Sequence, residues 1–400
     1  MTPVRTLLIT GTSGAGRTTV ATATAVAAAR TGSRTLLLTR DRQDVAELLA
    51  AAGAGPLAEE GAVPGTDGLY LALADPATAF QDGLLDLQDR LGSLLGLLGA
   101  APLDPEEVTP VPGAGALALL TTLRRAQVIG ETSDWDLVVV DLPPVREAVG
   151  LLALPEQLRR YLRRLLPADR QAARALRPVL AQLAGVPMPA EWAYDAAARA
   201  DRELAAVQAV IEHQDTAVTV VLEPGPAAAR ALATARTGLA LYGHRLAAVT
   251  ANRLLPTTSQ DPFLAGLSAH QQDHLKALAG QCAADGVPLL ELPHLGREPH
   301  DPVELALPVP ETGPRAAEPW TVDEHLADQG QFIWSLPLPG AGRDSLDLVR
   351  RGDELVVDAG GFRRIVPLPS ALRRCTVAGA ALRDGVLRVR FTPDPELWPR

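Results

Sequence analysis

A five-residue apolar run, Thr6 to Thr10, feeds directly into Gly11-Thr12-Ser13-Gly14-Ala15-Gly16-Arg17-Thr18-Thr19, and an alanine-rich stretch follows at once. A chain that begins this way places a strand, a tight glycine turn and a helix in direct succession, which points to α/β architecture with a parallel sheet. Short apolar runs recur at Thr35 to Thr39, Leu69 to Leu73, Asp136 to Asp141, Ala217 to Leu222, Leu246 to Ala251 and Val287 to Leu292. Helical stretches such as Thr19 to Arg30 and Pro226 to Tyr242 lie between them. Apolar runs without polar alternation predict strands buried on both faces. The expected class is α/β, a doubly wound, mostly parallel sheet over residues 1–305.

Two intervals lack strand signals. Between Leu151 and His213 the apolar residues fall at 151, 154, 158, 162 and 165, then at 176, 180 and 183. These are the steps of amphipathic helices, broken near Pro167 and in Gly185-Val186-Pro187-Met188-Pro189. Helical insertions are therefore expected at about 77–125 and 151–213. Prolines at 293, 299, 302, 308, 310, 314 and 319 predict a stiff connection, with the linker at 306–329. Phe332 to Leu338, Leu346 to Val349, Glu354 to Asp358, Phe362 to Pro367 and Val386 to Phe391 are short β runs separated by Pro-Gly, Arg-Gly-Asp, Gly-Gly and Asp-Gly turns. A small all-β sandwich at 330–393 is the reading.

Composition narrows the function. The 400 residues carry 37 basic against 47 acidic side chains, a formal charge of -10, so no nucleic-acid partner is expected. Lys276 is the one lysine; 36 of the 37 basic residues are arginine. No stretch of eighteen apolar residues occurs, and the residues before the glycine motif are too few for a signal-peptide core, so the expected location is cytoplasmic. Cys282 and Cys375 are far apart and have no CxxC partner, which disfavours a zinc knuckle or a disulfide framework.

The glycine loop fits GxxxxGK[ST] except that Arg17 stands at the lysine position. In such a loop the glycines let successive backbone N–H groups turn inward around an anion, and the helix N-terminus adds its dipole. Gly11, Gly14, Ala15, Gly16, Arg17, Thr18 and Thr19 are thus expected to bind ATP or ADP, with the Thr18 hydroxyl offered to Mg²⁺. Arg17 keeps the charge, but a planar guanidinium cannot sit between phosphates as a compact ammonium does. Two alternatives remain: a turn that binds nothing, and a dinucleotide-binding Rossmann turn with Asp41 near the end of the second strand. Against the second, a Tyr-x-x-x-Lys pair is impossible, because Gln272 lies four positions before Lys276. Asp141 ends an apolar strand, where an uncompensated carboxylate is unfavourable, so a water or metal role is expected.

The run Asp136-Leu-Val-Val-Val-Asp141-Leu-Pro-Pro144 resembles the Walker B and switch II stretch of the ArsA-type anion-transporting ATPases, whose relatives target tail-anchored membrane proteins. Thr39-Arg40-Asp41, Pro112-Gly113 and Val249-Thr250-Ala251-Asn252-Arg253 match further family positions. Leu336-Pro337-Leu338-Pro339-Gly340, Arg351-Gly352-Asp353 and Asp384-Gly385-Val386 resemble the α-crystallin (small heat-shock) sandwich appended to some members. The resemblance implies a P-loop NTPase acting as a homodimer, with Asp41 orienting the attacking water and Asn252 reading adenine. A strand-end aspartate and a turn asparagine are the ordinary alternatives for these two.

Departures from the family pattern imply slow hydrolysis or none. Thr12 stands at the signature lysine that reaches the partner's nucleotide, and Val145-Arg146-Glu147 replaces Thr-Gly-His. A charge delivered in trans can contribute about 10³ to 10⁵ in rate. Soft arsenic needs clustered thiolates, so neither an arsenite nor a zinc site is expected. The resemblance places a groove for hydrophobic protein segments in the insertion, lined by Leu154, Leu158, Leu162 and Leu165. Arginines at 159, 160, 163, 164, 170, 174 and 177 would flank it and allow peripheral membrane contact. A solvated polar face over core leucines, and a nucleotide-independent scaffold, are the competing readings.

Overall fold

The computed structural model describes residues 4–51, 60–97, 101–128, 135–166, 191–299, 301–305, 308–310, 320–326 and 330–398. All seven apolar runs of the first 300 residues lie in one sheet. Its strands are β1 (Arg5–Gly11), β2 (Thr35–Thr39), β3 (Glu60–Ala62), β4 (Leu69–Leu73), β5 (Leu137–Asp141), β6 (Thr216–Leu222), β7 (Leu246–Leu254) and β8 (Leu289–Pro293). Their order is β3-β4-β2-β5-β1-β6-β7-β8, parallel throughout except for β3, which pairs antiparallel with β4. The central strands are apolar on both sides because both faces are covered: Leu7, Leu8 and Ile9 are at most 1% exposed. Helix α1 (Arg17–Arg30) packs against β2 and β5 through a run of alanines and Val20 and Val26, small enough to let the helix sit close. Helix α2 (Arg42–Ala51) follows β2.

The chain divides into two compact units. One comprises Met1–Ala74, Thr132–Val149 and Gln214–Arg400; the other comprises Asp75–Glu131 and Gly150–His213. The second is helical among its described residues, with α3 (Pro76–Leu97), α4 (Ala114–Val128), most of α5 (Val145–Leu165) and α6 (Glu191–Ile211). Arg124 pairs with Glu203 between α4 and α6, and Arg159 with Asp201 between α5 and α6. Pro155 lies inside α5, so that helix runs past the point where a proline removes one backbone donor.

Within the first unit, helix α7 (Ala228–Tyr242) follows β6 and α8 (Pro262–Ala284) follows β7. The C-terminal part forms two antiparallel sheets, β14-β15-β10-β9 and β11-β12-β13. The strands are β9 (Thr321–His325), β10 (Gln331–Pro337), β11 (Leu346–Arg351), β12 (Glu354–Ala359), β13 (Phe362–Pro367), β14 (Cys375–Arg383) and β15 (Val386–Pro393). Alternating side chains of β10, β12 and β15 fill the core around Trp334, Leu336, Leu355, Val357, Val389 and Phe391. Strand β9 lies in the stretch read as linker; its side chains are mostly exposed, so no apolar alternation marks it in the sequence.

The sandwich is seated on α7. The Phe362 ring packs so closely on Gly238 that a Cβ there would come within 2.7 Å of it. Tyr242 Oη donates to the Arg363 carbonyl at 2.7 Å, the Arg364 guanidinium donates to the Leu241 carbonyl at 2.9 Å, and the Thr237 hydroxyl contacts the Pro339 carbonyl at 3.0 Å.

Among the described glycines the tightest backbone approach lies at the end of β1. A Cβ on Gly11 would stand 2.0 Å from the Val221 carbonyl oxygen of β6, a rigid neighbour. Gly11→Ala is therefore expected to lower stability by about 3 kcal/mol, the upper part of the overpacking range. Chemical denaturation checks this, and an unchanged midpoint contradicts the close approach.

Candidate functional site

The C-terminal ends of β1, β2 and β5 lie side by side because the strand order is β2-β5-β1 and all three are parallel. The glycine loop spans from β1 to α1. Gly14 and Gly16 have φ of 76° and 85°, left-handed values that side chains rarely adopt. Gly16 is the N-cap of α1; no side chain caps the helix and no acidic residue lies in its first turn. The helix start therefore keeps its unsatisfied donors and its dipole for an anion.

The loop is held from behind by the end of β7. Asn252 Nδ2 donates to the Ala15 carbonyl at 2.8 Å, and the Arg253 guanidinium donates to the Gly14 carbonyl at 2.9 Å. Arg253 itself has a φ of 60°, and its N–H donates to Asn252 Oδ1 at 2.9 Å. Two of the loop's own N–H groups are engaged as well, Thr12 donating to the Val221 carbonyl at 3.1 Å and Ala15 to the Thr12 carbonyl at 3.3 Å, which leaves the donors at the start of α1 for an anion. Asn252, expected at the adenine, thus braces the loop. A small pocket beside it is lined by Thr19, Arg253, Pro293, His294, Leu295 and Pro299.

Asp141 is the electrostatic centre. Its Oδ2 accepts from the Thr18 hydroxyl at 2.9 Å and the Thr39 hydroxyl at 3.0 Å, while Oδ1 is buried and accepts from no described residue. Burial pushes the carboxyl above the usual carboxylate range, and the two hydroxyls and the Arg17 guanidinium oppose that only in part. Hard divalent cations seek oxygen ligands, and an unpartnered buried carboxylate oxygen beside Thr18 is a donor set of that kind. These two residues would hold Mg²⁺.

Arg17 does not stand free in the loop. Its Nη1 donates to the Leu142 carbonyl at 2.5 Å, which ties the start of α1 to the segment after β5. Asp41 caps α2: its Oδ1 accepts from the Asp44 N–H at 3.1 Å, and its own N–H donates to the Thr39 hydroxyl at 3.0 Å. Neighbouring Arg40 pairs with Glu147 at 3.4 Å. Thr39, Arg253 and Thr10, whose hydroxyl donates to the Pro143 carbonyl at 2.7 Å, carry contacts that sequence reasoning missed. Thr39 was the most findable, because it ends a strand whose neighbour ends at Asp141.

On α5, Leu154, Leu158 and Leu162 are half-buried and Leu165 is 77% exposed. Tyr161 is 49% exposed beside them. Arg159 turns to α6, donating to Asp201 at 3.0 Å and Gln208 at 2.9 Å. The second half of the expected helix pair, with Arg170, Arg174 and Arg177, lies outside the described residues.

Residues 4–298 match the family described as anion-transporting ATPase, and residues 329–391 match the HSP20-like domain found in ArsA. The chain is similar to the uncharacterized protein SCO2128 of Streptomyces coelicolor, at 55% identity over 402 residues covering 99% of this chain and 100% of that one. It is 30% identical over 439 residues to protein Rv2184c of Mycobacterium tuberculosis, covering 98% and 97% of the two chains. An Aquifex aeolicus protein named as an arsenical pump-driving ATPase is 22% identical over 386 residues, covering 92% and 95%.

The raised carboxyl of Asp141 has a sign that can be checked. Only between the ordinary carboxylate pKa and the raised one does the folded protein hold a proton that the unfolded chain has released, so this group's contribution to stability is fully present below the ordinary value. It is lost as pH rises through the raised value. Asp141→Asn is therefore expected to melt higher than the parent at pH 7 without ligand, with the difference fading below about pH 4. Melting curves across that range check it; a variant less stable at pH 7 contradicts the burial argument.

Proposed function

The chain belongs to the family of anion-transporting ATPases, and from that premise we propose that it binds ATP or ADP with Mg²⁺, turns ATP over slowly or not at all, and handles hydrophobic protein segments. The observation that carries the nucleotide reading is the pairing of Thr18 and Asp141 at the uncapped start of α1, with one Asp141 oxygen unsatisfied. Backbone N–H groups of the loop bind the phosphates, and Thr18 and Asp141 hold the cation. Mg²⁺, when bound, supplies charge neutralisation at the phosphate oxygens. Asp41 stands at the end of β2 to orient water.

Slow turnover follows from two side chains. Arg17 keeps the charge of the lysine position, but its planar guanidinium cannot sit between the phosphates as a compact ammonium does. Thr12 has neither the length nor the charge to reach the nucleotide of a second copy in the homodimer the family implies. Some relatives are named as arsenical pump-driving ATPases. Here Cys282 lies in α8 and Cys375 begins β14, both buried, so arsenite is not the substrate we propose.

Leu154, Leu158, Leu162 and Leu165 form the client surface in this reading, with Tyr161 beside them. The arginine-rich stretch supports it, since basic residues can flank an apolar segment or rest on an anionic membrane surface. Among the described residues no helix is long and apolar enough to cross a membrane.

Calorimetric titration with Mg²⁺ and ADP is the direct test: micromolar binding supports the reading, and no heat up to millimolar ligand moves the function to a nucleotide-independent scaffold. Arg17→Lys is expected to raise ATP turnover by less than about tenfold while Thr12 remains, because the charge in trans is still missing. A recovery of about 10³ in that single variant, measured by phosphate release, shows that the loop lacked only its own lysine. Leu158→Asp combined with Leu162→Asp should abolish capture of a transmembrane peptide and leave the melting temperature unchanged. Core leucines instead lose about 2 to 5 kcal/mol each on truncation, so a collapsed melting temperature sinks the client surface.

A further inference from the structure

The segment that joins Asp141 to α5 touches both the phosphate loop and the C-terminal sandwich. On one side the Arg17 guanidinium donates to the Leu142 carbonyl, and the Thr10 hydroxyl donates to the Pro143 carbonyl at 2.7 Å. On the other, the Arg146 guanidinium lies 5.5 Å from the centre of the Phe362 ring. It also overlies the turn before that ring: a Cβ on Gly361 would come within 2.8 Å of Arg146 Nη1. Phe362 is the residue whose ring seats on Gly238 of α7, so Arg146 and α7 hold the same aromatic side chain. Glu147, next along, pairs with Arg40 beside Asp41.

The geometry points to a relay in which phosphate at the Gly11–Thr19 loop loosens the seat of the HSP20-like sandwich through Arg17, Leu142 and Arg146. It rests on the nucleotide reading above. A phosphate oxygen is a stronger acceptor for a guanidinium than a neutral carbonyl, because the bond is charge-assisted at both ends. Phosphate therefore draws Arg17 from Leu142. Pro143 and Pro144 have their φ angles locked, so displacement of Leu142 is passed to Val145 and Arg146 rather than absorbed between them. Arg146 is exposed and held by the ring and the glycine turn, so a small shift removes its contact. Gly238 and Gly361 carry no side chain to follow the movement, which makes the seat specific to one arrangement. Linkage makes the coupling reciprocal: if nucleotide weakens the seat, weakening the seat strengthens nucleotide binding by the same factor.

Hydrogen exchange of the full chain, with ADP binding followed by calorimetry on the same samples, tests the relay. Saturating ADP is expected to speed exchange at Gly360 to Arg364 by about fivefold or more and to leave the Asp384–Gly385 turn unchanged. Arg146→Gln, a change at an exposed position, should exchange at the faster rate without ADP and show no further response. Phe362→Leu should tighten ADP binding by a factor matching the exchange effect. ADP binding with unchanged exchange at Gly360 to Arg364 overturns the relay and leaves the nucleotide reading standing. Equal acceleration in the Asp384–Gly385 turn overturns it as well, since the effect is then global. Absence of ADP heat overturns both.

Discussion

A carboxylate buried at the end of a parallel strand is the constraint on which the site depends. Asp141 is 7% exposed, and such a group is tolerated only if other polar groups meet it. Two do: the Thr18 hydroxyl at the start of α1 and the Thr39 hydroxyl at the end of β2. These three side chains meet only because β2, β5 and β1 are adjacent, parallel and in register. One carboxylate oxygen remains without a partner among the described residues, so the hydrogen-bond network is not closed, and that imbalance is what the proposed cation would meet.

The loop beside it separates two tasks that one lysine performs elsewhere in the P-loop pattern. In the proposed reading the donors at the start of α1 and the helix dipole would bind an anion whatever residue occupies position 17, with Gly11 pressed against Val221 and with Asn252 and Arg253 holding the loop carbonyls. Charge placed on the transferring phosphoryl group is a separate matter, and Arg17 gives its guanidinium to the segment after β5. The same engagement links the loop to the residues that contact the sandwich, so the arginine has a structural role the lysine position does not ordinarily have.

The seven runs that became the parallel strands were legible because burial on both faces leaves an uninterrupted apolar stretch. Strand β3, three exposed residues at the sheet edge, carries no such mark, and β9 is missed for the same reason. In β14 the register shifts between Val377 and Gly379, which breaks the alternation that would have revealed it. The glycine loop was readable from spacing alone. What Asn252, Arg253 and Thr39 do was not, since their contacts depend on which strands become neighbours. The seat of Phe362 on Gly238 joins residues 124 positions apart through shape, and no local pattern announces it. The leucines of α5 were legible as a stripe, and the structure grades them from half-buried Leu154 to exposed Leu165.

The central claim is that the free oxygen of Asp141 anchors a cation which in turn helps hold the nucleotide. The measurement that tests it most directly is ADP affinity with and without Mg²⁺, compared between the parent chain and Asp141→Asn. The account predicts that Mg²⁺ tightens ADP binding about tenfold or more in the parent and leaves the variant unchanged, a coupling within the ordinary range for two linked sites. Equal tightening in both proteins contradicts it and moves the cation to other ligands.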